Sequence, residues 1–252
     1  MSDFPNVDSP AYLVIGATGG IGRELCHRLV DAGARLMLMA RSQATLGQLS
    51  ESLAQPHVVG DAADWQATAD AVGKTVETFG GISGAVNLAG SILLKPAHLT
   101  GFDDFQETIR QNMTTAFGLL RSAAPAIRKS GGGSIVLTSS AAADIGLSNH
   151  EAVAAAKAGV AAMARSAAAT YAGGGVRVNA VAPGLVQTAM TEKVWGNERA
   201  AEASRAMHPL GRLGTPQDIA SLIAWLLHPD QTWITAQTIA VDGGLSTIKT
   251  TR

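Results

Sequence analysis

Three glycines in the segment IGATGGIG have the spacing of an anion-binding turn. Gly16, Gly20 and Gly22 lie between a short apolar run and a helix that we expect to begin near Ile21. The first N–H groups of a helix lack intrahelical partners and lie at its positive dipole end, and glycine lets a phosphate approach the backbone. The turn therefore favours a dinucleotide pyrophosphate, although glycine turns that bind no nucleotide are also common.

Two charged residues that follow the next apolar runs could select the nucleotide. The second run ends in MAR, with Arg41 beside the point where an acid that binds a free ribose 2′-hydroxyl would stand. A guanidinium can pair with a 2′-phosphate through two hydrogen bonds, so Arg41 favours NADP(H) over NAD(H). The alternative is a solvated surface arginine. Asp61 could accept a hydrogen bond from the adenine amino group or cap the following helix.

Short apolar runs alternate with longer amphipathic stretches along the whole chain, which predicts an α/β fold with a buried, seven-stranded parallel sheet. No linker divides the sequence, so we expect one domain over 1–252. The predicted strands lie near 11–16, 35–40, 57–60, 84–89, 134–139, 176–181 and 237–241. The predicted helices lie at about 20–32, 42–54, 63–79, 103–129, 149–172 and 216–227.

Composition excludes several classes of protein. The 252 residues have a net charge of −1, are 46% hydrophobic, and include one cysteine and two tyrosines. Without basic clusters the chain has no surface for nucleic acid or an anionic membrane, and no apolar run reaches the roughly 18 residues of a membrane span. The single Cys26 can form neither an internal disulfide nor a thiolate metal cage. We therefore expect a cytoplasmic protein whose partner is a small molecule.

Two further patterns concern partners. The six histidines show no metal-ligand spacing, so no metal site is expected. The stretch AVAAAKAGVAAMARSAAATYAGGG predicts a close-packed helix that ends at glycine. Since a helix of small residues often packs against another subunit, we expect a homo-oligomer, either a dimer or a tetramer.

Several motifs, in their order and spacing, resemble the short-chain dehydrogenase/reductase family over nearly the whole chain. The resemblance implies a Rossmann-like doubly wound sheet with helices on both faces, the nicotinamide at the carboxyl edge of the strands, and frequently a tetramer. It also implies a substrate lid over 188–210. The matching segments are IGATGGIG, NLAG at 87–90, QNMTTAF at 111–117, GSIVLTSSAA at 133–142, KAG at 157–159, VRVNAVAPG at 176–184 and ITAQTIAVDGG at 234–244.

The resemblance also implies where the cofactor binds. Asn87, Ala89 and Gly90 would flank it. Pro183 and Gly184 would shape the nicotinamide pocket, and position 188 would lie near the phosphates or the carboxamide. The full set of residues that we predict for NADP(H) is Gly16, Thr18, Gly19, Gly20, Ile21, Gly22, Arg41, Asp61, Ala62, Asn87, Ala89, Gly90, Lys157, Pro183, Gly184, Val186 and Thr188.

Family members usually carry Asn, Ser, Tyr and Lys as a catalytic set. Asn112 matches the residue that holds a water beside the lysine, and it could equally mark a helix kink. Ser140 matches the serine that binds the substrate carbonyl, with Ser139 as the alternative if the register differs by one. Lys157 matches the lysine. The tyrosine position, four residues earlier, holds Val153, so the usual proton donor is absent.

Neither remaining tyrosine is an obvious substitute for that proton donor. Tyr12 lies on the predicted first strand, which is buried in this fold. Tyr171 lies at the far end of the helix that carries Lys157, 14 residues or about 21 Å beyond the lysine. General acid catalysis typically contributes about 10² to 10⁴-fold to a rate, so its loss at this position has a measurable consequence.

A histidine offers a local alternative. Ser148-Asn-His-Glu151 has the form of a capping box, so the helix could begin at Ser148 and place His150, Val153 and Lys157 on one face. A neutral histidine there could polarise a carbonyl or pass a proton. The alternative is a solvent-exposed loop histidine.

Two functions of different classes remain open from the sequence. The first is an NADP(H)-dependent oxidoreductase that reduces a carbonyl, imine or similar group without the tyrosine, using water, Ser140, Lys157 or His150. The second is an NADP(H)-binding sensor or assembly protein with little or no activity. Retention of Ser140, Lys157 and Asn112 favours the first, since a scaffold needs none of them.

Overall fold

The computed structural model describes residues 9–249. Its seven strands form one parallel sheet in the order β3-β2-β1-β4-β5-β6-β7. The predicted seven-stranded parallel sheet is therefore confirmed. The strands are β1 (Ala11–Ile15), β2 (Arg35–Ala40), β3 (His57–Val59), β4 (Gly84–Asn87), β5 (Gly133–Thr138), β6 (Val176–Pro183) and β7 (Thr238–Val241).

Helices cover both faces of the sheet. Successive side chains of a strand point to opposite faces, and both sets are apolar here. Leu13 and Ile15 of β1 join an apolar cluster with α3, α5 and α6, whereas Tyr12 and Val14 join a second cluster with α1, α2 and α9. The helices are α1 (Gly20–Asp31), α2 (Gln43–Leu53), α3 (Trp65–Phe79), α4 (Phe102–Ile109), α5 (Thr115–Lys129), α6 (Glu151–Tyr171), α7 (Glu192–Trp195), α8 (Glu198–Met207) and α9 (Pro216–Leu227).

The strand order reverses between β1 and β4, because the chain first builds outward to β3 and then crosses to the other side of β1. At such a switch point the loops after neighbouring strands leave in opposite directions and open a crevice at the carboxyl ends of the strands. The doubly wound arrangement therefore positions a ligand site beside the glycine turn that follows β1.

The helix predicted at 103–129 is interrupted. A π-helical segment, Arg110–Thr114, separates α4 from α5. Within it the buried Asn112 donates its amide N–H to the carbonyl oxygen of Thr108 at 2.9 Å. Such π segments widen the helix locally and are frequent at functional sites. The prediction of one continuous α-helix is wrong, and a π-helical segment contains Asn112, the residue named as a possible kink.

The capping box predicted at Ser148 is also wrong. α6 begins at Glu151, its N-cap is His150, and no side chain caps the helix there. Asn149 has φ of 64°, a left-handed conformation that a helix cannot include. The chain therefore turns at Asn149 before α6 can begin. None of the helices among residues 9–249 is long and apolar enough to cross a membrane.

Candidate functional site

Two adjoining cavities lie at the carboxyl ends of the strands. We call the first, of ≈ 210 Å³, the glycine-turn cavity, because residues of the turn after β1 line it together with Asn112 and Lys157. We call the second, of ≈ 330 Å³, the lid cavity, because its lining includes residues of α7 and α8. The cavities meet at a common wall formed by Ile92, Ser140, Val153, Pro183, Gly184 and Thr191.

The glycine turn has a backbone that side chains would block. A Cβ on Gly22 would lie 2.2 Å from the carbonyl oxygen of Gly16, and Gly16 itself has φ of 80°. α1 has no side-chain cap at Gly19, so its first N–H groups are available to an anion. The methyl group of Thr188 lies 3.1 Å from where a Cβ on Gly20 would be. The turn and position 188 thus form a narrow cradle that fits a pyrophosphate.

Most of the predicted cofactor residues converge on this cavity. These residues come from four parts of the chain that are distant in sequence: the turn after β1, the loop after β4, helix α6 and the segment after β6. Those that line the glycine-turn cavity are Gly16, Gly19, Gly20, Ile21, Gly22, Gly90, Lys157, Pro183, Gly184, Val186 and Thr188.

The role predicted for Asn87 is not supported. Asn87 is only 2% exposed, and its side chain donates to the Thr115 hydroxyl (3.0 Å) and accepts from the backbone N–H of Ala89 (3.0 Å). Its polar atoms are thus committed inside the protein. Asn87 shapes the loop that leads to Gly90, and neither Asn87 nor Ala89 is among the described residues that line the glycine-turn cavity.

The predicted adenine and 2′-phosphate residues lie near the ends of β2 and β3. Arg41 is exposed. The Asp61 carboxylate accepts from the Ala63 N–H at 3.0 Å and from the Arg110 guanidinium at 3.1 Å. The Ala63 N–H, and secondarily Arg110, hold the pKa of Asp61 below its ordinary value, and Arg41 adds to this effect. Arg41 therefore lies close enough to Asp61 for their charges to interact.

Three further residues complete the description of this region. Asp64, not Asp61, caps α3, since its side chain accepts from the Gln66 N–H. Ala62 is 5% exposed and packs in the core, so only its backbone could meet an adenine ring. Sequence reasoning missed Arg110, which also binds Glu107 at 2.7 Å. The spacing of three residues between Glu107 and Arg110 could have predicted an ion pair on one helix face. No sequence pattern indicates that Arg110 also pairs with Asp61.

Lys157 lies at the base of the glycine-turn cavity. Its Nζ donates to the carbonyl oxygen of Thr138 at 2.8 Å, and burial lowers the pKa of this amine from about 10.5 to about 8. A buried amine with a lowered pKa can exchange a proton near neutral pH. Such a group suits either hydrogen bonding to a ribose or proton transfer.

Asn112 and Lys157 converge on Gly90. A Cβ at Gly90 would lie 2.8 Å from Oδ1 of Asn112 and 3.4 Å from Nζ of Lys157. The amide of Asn112 also bonds the loop after β4, because Oδ1 accepts from the Ser91 N–H at 3.2 Å. The π-helical segment thus delivers Asn112 to the same point as the lysine.

The two serines after β5 have different surroundings. Ser139 is 1% exposed and donates its hydroxyl to the backbone oxygen of Lys157 at 2.9 Å. Ser140 lines both cavities, and its oxygen accepts from the Ala142 N–H at 3.2 Å. Ser140 therefore has the accessible hydroxyl, and Ser139 fixes β5 to α6.

Val153, four residues before Lys157, lies between the two cavities. It is 5% exposed and lines both of them. Tyr12 is buried on β1, where its hydroxyl donates to the carbonyl oxygen of Leu227. Tyr171 packs against the core at the end of α6. Neither phenol lines either cavity.

His150 lines the lid cavity together with Val153, although α6 begins after it. Its Nδ1 lies 2.8 Å from the carbonyl oxygen of Ser148 and therefore carries the proton in the neutral ring. Of the described residues that line the two cavities, none is an aspartate or a glutamate. Lys157, His150 and His208 are the titratable groups among those lining residues.

The segment predicted as a lid folds into the short helices α7 and α8 over the lid cavity. Val194 and Met207 line that cavity, and Met190 lines the glycine-turn cavity. Trp195 lines neither cavity and donates its indole N–H to the carbonyl oxygen of Thr188 at 2.8 Å. The Thr191 hydroxyl donates to the carbonyl oxygen of Val186. Local hydrogen bonds thus order the start of the lid.

Comparison with known proteins agrees with this architecture. A family model described as Enoyl-(Acyl carrier protein) reductase matches residues 16–246. A 3-oxoacyl-(acyl-carrier-protein) reductase FabG of Thermotoga maritima is 34% identical over 247 residues, covering 95% of this chain and 98% of the relative. A D-threitol dehydrogenase of Mycolicibacterium smegmatis is 32% identical over 250 residues, covering 96% and 94%.

The similarity extends to solved structures. A short-chain type dehydrogenase/reductase from Mycobacterium ulcerans superposes with a TM-score of 0.92 at 28% identity, covering 98% of this chain and 91% of that one. The relatives named above are oxidoreductases by name. The chain belongs to the short-chain dehydrogenase/reductase family.

Proposed function

We propose that the protein is an NADP(H)-dependent oxidoreductase that reduces a carbonyl, imine or similar group of a small molecule without a tyrosine acid. The observation that carries this proposal is the convergence of Asn112, Ser140 and Lys157 on the cavity of the glycine turn. Three polar side chains from separate elements meet there, although Val153 occupies the acid's position. A protein that only bound nucleotide would have no need of this arrangement.

The residues present fit a dinucleotide. The uncapped start of α1 and the cradle below Thr188 suit a pyrophosphate, and Lys157 suits the nicotinamide ribose. Arg41 supports NADP(H), since an exposed guanidinium can pair with a 2′-phosphate. Bound NADPH would supply hydride to the substrate. The chain's own residues would orient the substrate and provide the proton.

The proton has several possible sources. Ser140 can hydrogen-bond the substrate oxygen, but a serine hydroxyl needs a second group to replace its proton. Lys157 has further N–H groups beyond the one that bonds Thr138, and its lowered pKa suits donation near neutral pH. A water held near Asn112, or the ring of His150, could complete the relay. Lys157 is the donor that the burial and geometry favour most.

The substrate that this site would suit is compact and uncharged. Hydrophobic side chains make up most of the lining of the lid cavity, and no carboxylate among the described residues that line it could balance a cationic iminium. A neutral carbonyl is thus a better match than a protonated imine. The names of the relatives, a 3-oxoacyl reductase and a threitol dehydrogenase, agree with chemistry at a C=O or CH–OH group.

The proposal is tested by NADPH titration followed by a stopped-flow search for NADPH oxidation across carbonyl, imine and enone panels. Micromolar binding with oxidation in at least one panel would support the oxidoreductase. Tight binding without oxidation in any panel would reject it.

A second function has one observation in its favour. Val153 occupies the position of the family's proton donor. An NADP(H)-binding sensor or assembly protein carries out no proton transfer and would not need that donor. Such a protein would bind NADPH in the same titration and leave it unoxidised. The stopped-flow panels therefore separate the two functions.

The oxidoreductase would act as a homo-oligomer in the cytoplasm. Phe102 and Phe117, on α4 and α5, are 75% and 46% exposed, and small residues such as Ala158 and Ala162 face outward on α6. Burial of such surfaces favours association of identical chains. A dimer or tetramer in light scattering supports this, and a monomer at micromolar concentration contradicts it. Cys26, a buried free thiol, fits a reducing compartment.

A further inference from the structure

A buried histidine connects the end of α8 to the segment that follows β6. His208 is 3% exposed. Its Nδ1 lies 2.6 Å from the carbonyl oxygen of Ser204, and its Nε2 lies 3.2 Å from the backbone nitrogen of Leu185. Because the Leu185 N–H donates, Nε2 must be the unprotonated nitrogen and Nδ1 must carry the proton. Two backbone groups thus fix one neutral tautomer.

The backbone opposite the ring is built to receive it. A Cβ at Gly184 would lie 2.7 Å from Nε2 of His208 and 2.9 Å from Cα of Asp242. Only glycine leaves room for the imidazole to lie against this segment. The carboxylate of Asp242 accepts from the N–H groups of Gly244 (2.9 Å) and Ser246 (2.8 Å), so it is engaged by its own turn.

The connection bears directly on the lid cavity. Ser204, Met207 and His208 form its α8 wall, and Gly184 and Leu185 form the adjoining wall. The start of the lid is ordered internally by the bond from Trp195 to Thr188. The bond between His208 and Leu185 holds the other end. The distance between the two walls therefore depends on this histidine.

We propose that His208 is a positioning residue that sets substrate size: by accepting the Leu185 N–H, it holds α8 over the lid cavity. The assignment rests on the proposed function only in that the lid cavity receives the substrate. The hydrogen bond to Leu185 is the essential one, because the bond to Ser204 lies within one turn of chain and does not join the two walls.

Three substitutions separate the two bonds. His208→Gln can place an amide oxygen near the position of Nε2 and keep the Leu185 bond. His208→Asn can place an amide N–H near the position of Nδ1 and keep only the Ser204 bond. His208→Phe has neither bond at a similar volume. His27→Phe, an exposed histidine on α1, is the matched control.

The first measurement is amide hydrogen exchange at Leu185, whose N–H bonds His208. We expect exchange to rise roughly tenfold or more in the Phe and Asn variants, and to stay near the parent rate in the Gln variant and the control. An unchanged rate in the Phe variant would overturn the proposal. So would an Asn variant that protects Leu185 as well as Gln does.

The second measurement is binding of two probe ketones, cyclohexanone and the bulkier decalone, by NMR titration of the NADP⁺-loaded protein. We expect the Phe and Asn variants to shift the affinity ratio toward decalone by roughly threefold or more, with the Gln variant close to the parent. An unchanged ratio in a variant whose Leu185 amide is exposed rejects the role in substrate size. Since this readout needs no turnover, failure of the oxidoreductase proposal would appear separately, as bound ketone that NADPH never reduces.

Discussion

Nζ of Lys157 and the carbonyl oxygen of Thr138 are 2.8 Å apart, and this bond joins α6 to the end of β5 inside the crevice. The backbone oxygen takes one N–H and leaves the others for a ligand. Since Thr138 also donates its hydroxyl to the backbone oxygen of Asn87, the lysine is anchored to two neighbouring strands. Its position is therefore set before any cofactor binds.

Burial of this lysine predicts a pH-dependent stability. The folded-state pKa of about 8 lies below the ordinary value near 10.5, so between these values the unfolded chain binds more protons and the free energy of unfolding rises with pH. Below pH 8 Lys157 is protonated in both the folded and the unfolded chain, and burial of the charge lowers the free energy of unfolding by a constant amount. The Lys157→Met variant buries no charge and avoids this loss. We expect its stability relative to the parent to be greatest at pH 7 and to decline toward pH 10.

Urea denaturation at pH 7 and pH 10 measures the difference. Ala155→Met, on the exposed side of the same helix, adds no titrating group and should change stability equally at both pH values. A Lys157→Met curve that parallels the parent at both pH values would contradict the buried-charge account.

Val153→Tyr should restore the missing acid. Val153 lines both cavities one turn before Lys157, so a phenol there would reach between cofactor and substrate. We expect kcat/KM for ketones to rise about 10² to 10⁴-fold, the usual contribution of general acid catalysis. Val153→Phe supplies the same ring without a proton and should give no gain. Equal rates for the two variants would show that the phenol does not reach the reacting oxygen.

Arg41→Glu should discriminate between the two nicotinamide cofactors. Replacing the guanidinium by a carboxylate removes a charge-assisted contact and adds repulsion toward the 2′-phosphate. We expect the Kd for NADPH to rise roughly tenfold or more, with the Kd for NADH within roughly threefold of the parent. Fluorescence titration with both cofactors measures this. Equal losses for NADPH and NADH would rule out 2′-phosphate recognition at this residue.

His150→Ala tests the histidine as part of the proton route. Its ring lines the lid cavity beside Val153, so its loss should remove most of the turnover while NADPH affinity stays unchanged. His98→Ala, at an exposed position outside both cavities, is the control. Unchanged turnover in the His150 variant would leave Lys157, Ser140 or water as the donor.

Two glycines should respond oppositely to alanine. At Gly73, inside α3, nothing lies within 4 Å of a new Cβ, so Gly73→Ala should raise the free energy of unfolding by about 0.5–1 kcal/mol. At Gly22 the Cβ would lie 2.2 Å from a backbone oxygen, so Gly22→Ala should destabilise the fold and weaken NADPH binding. Denaturation of both variants against the parent measures the effects. If Gly22→Ala changed neither the free energy of unfolding nor NADPH binding, the turn would have to shift to make room for the Cβ.

The sequence was most informative where a signal is local. The strands were predicted to within two residues at each end, because a sheet buried on both faces needs continuous apolar runs such as RLMLMA. The glycine turn was also predicted from a local signal, the spacing of its three glycines. Left-handed Asn149 carried no comparable signal, so the start of α6 was misjudged. Asp61 was the only cap considered for α3, whereas the folded backbone places Asp64 at the N-cap.

The features that the sequence did not predict are mostly contacts between distant residues. The pairing of Asn87 with Thr115, of Arg110 with Asp61 and of His208 with Leu185 depends on the assembled fold. Periodicity cannot report such pairs, since each partner is compatible with many surroundings. The π-helical segment was predicted in part. The sequence named Asn112 as a possible irregular point in the helix, but it did not predict that the segment would be π-helical.

The segment 183–191 borders both cavities, accepts a hydrogen bond from Trp195 at Thr188, and donates one to His208 from Leu185. A ligand that shifts this segment from one side changes the surroundings of the other ligand. Binding free energies linked in this way are reciprocal, so cofactor and substrate should alter each other's affinity by the same factor. The order in which the two ligands bind would then be governed by one short stretch of backbone.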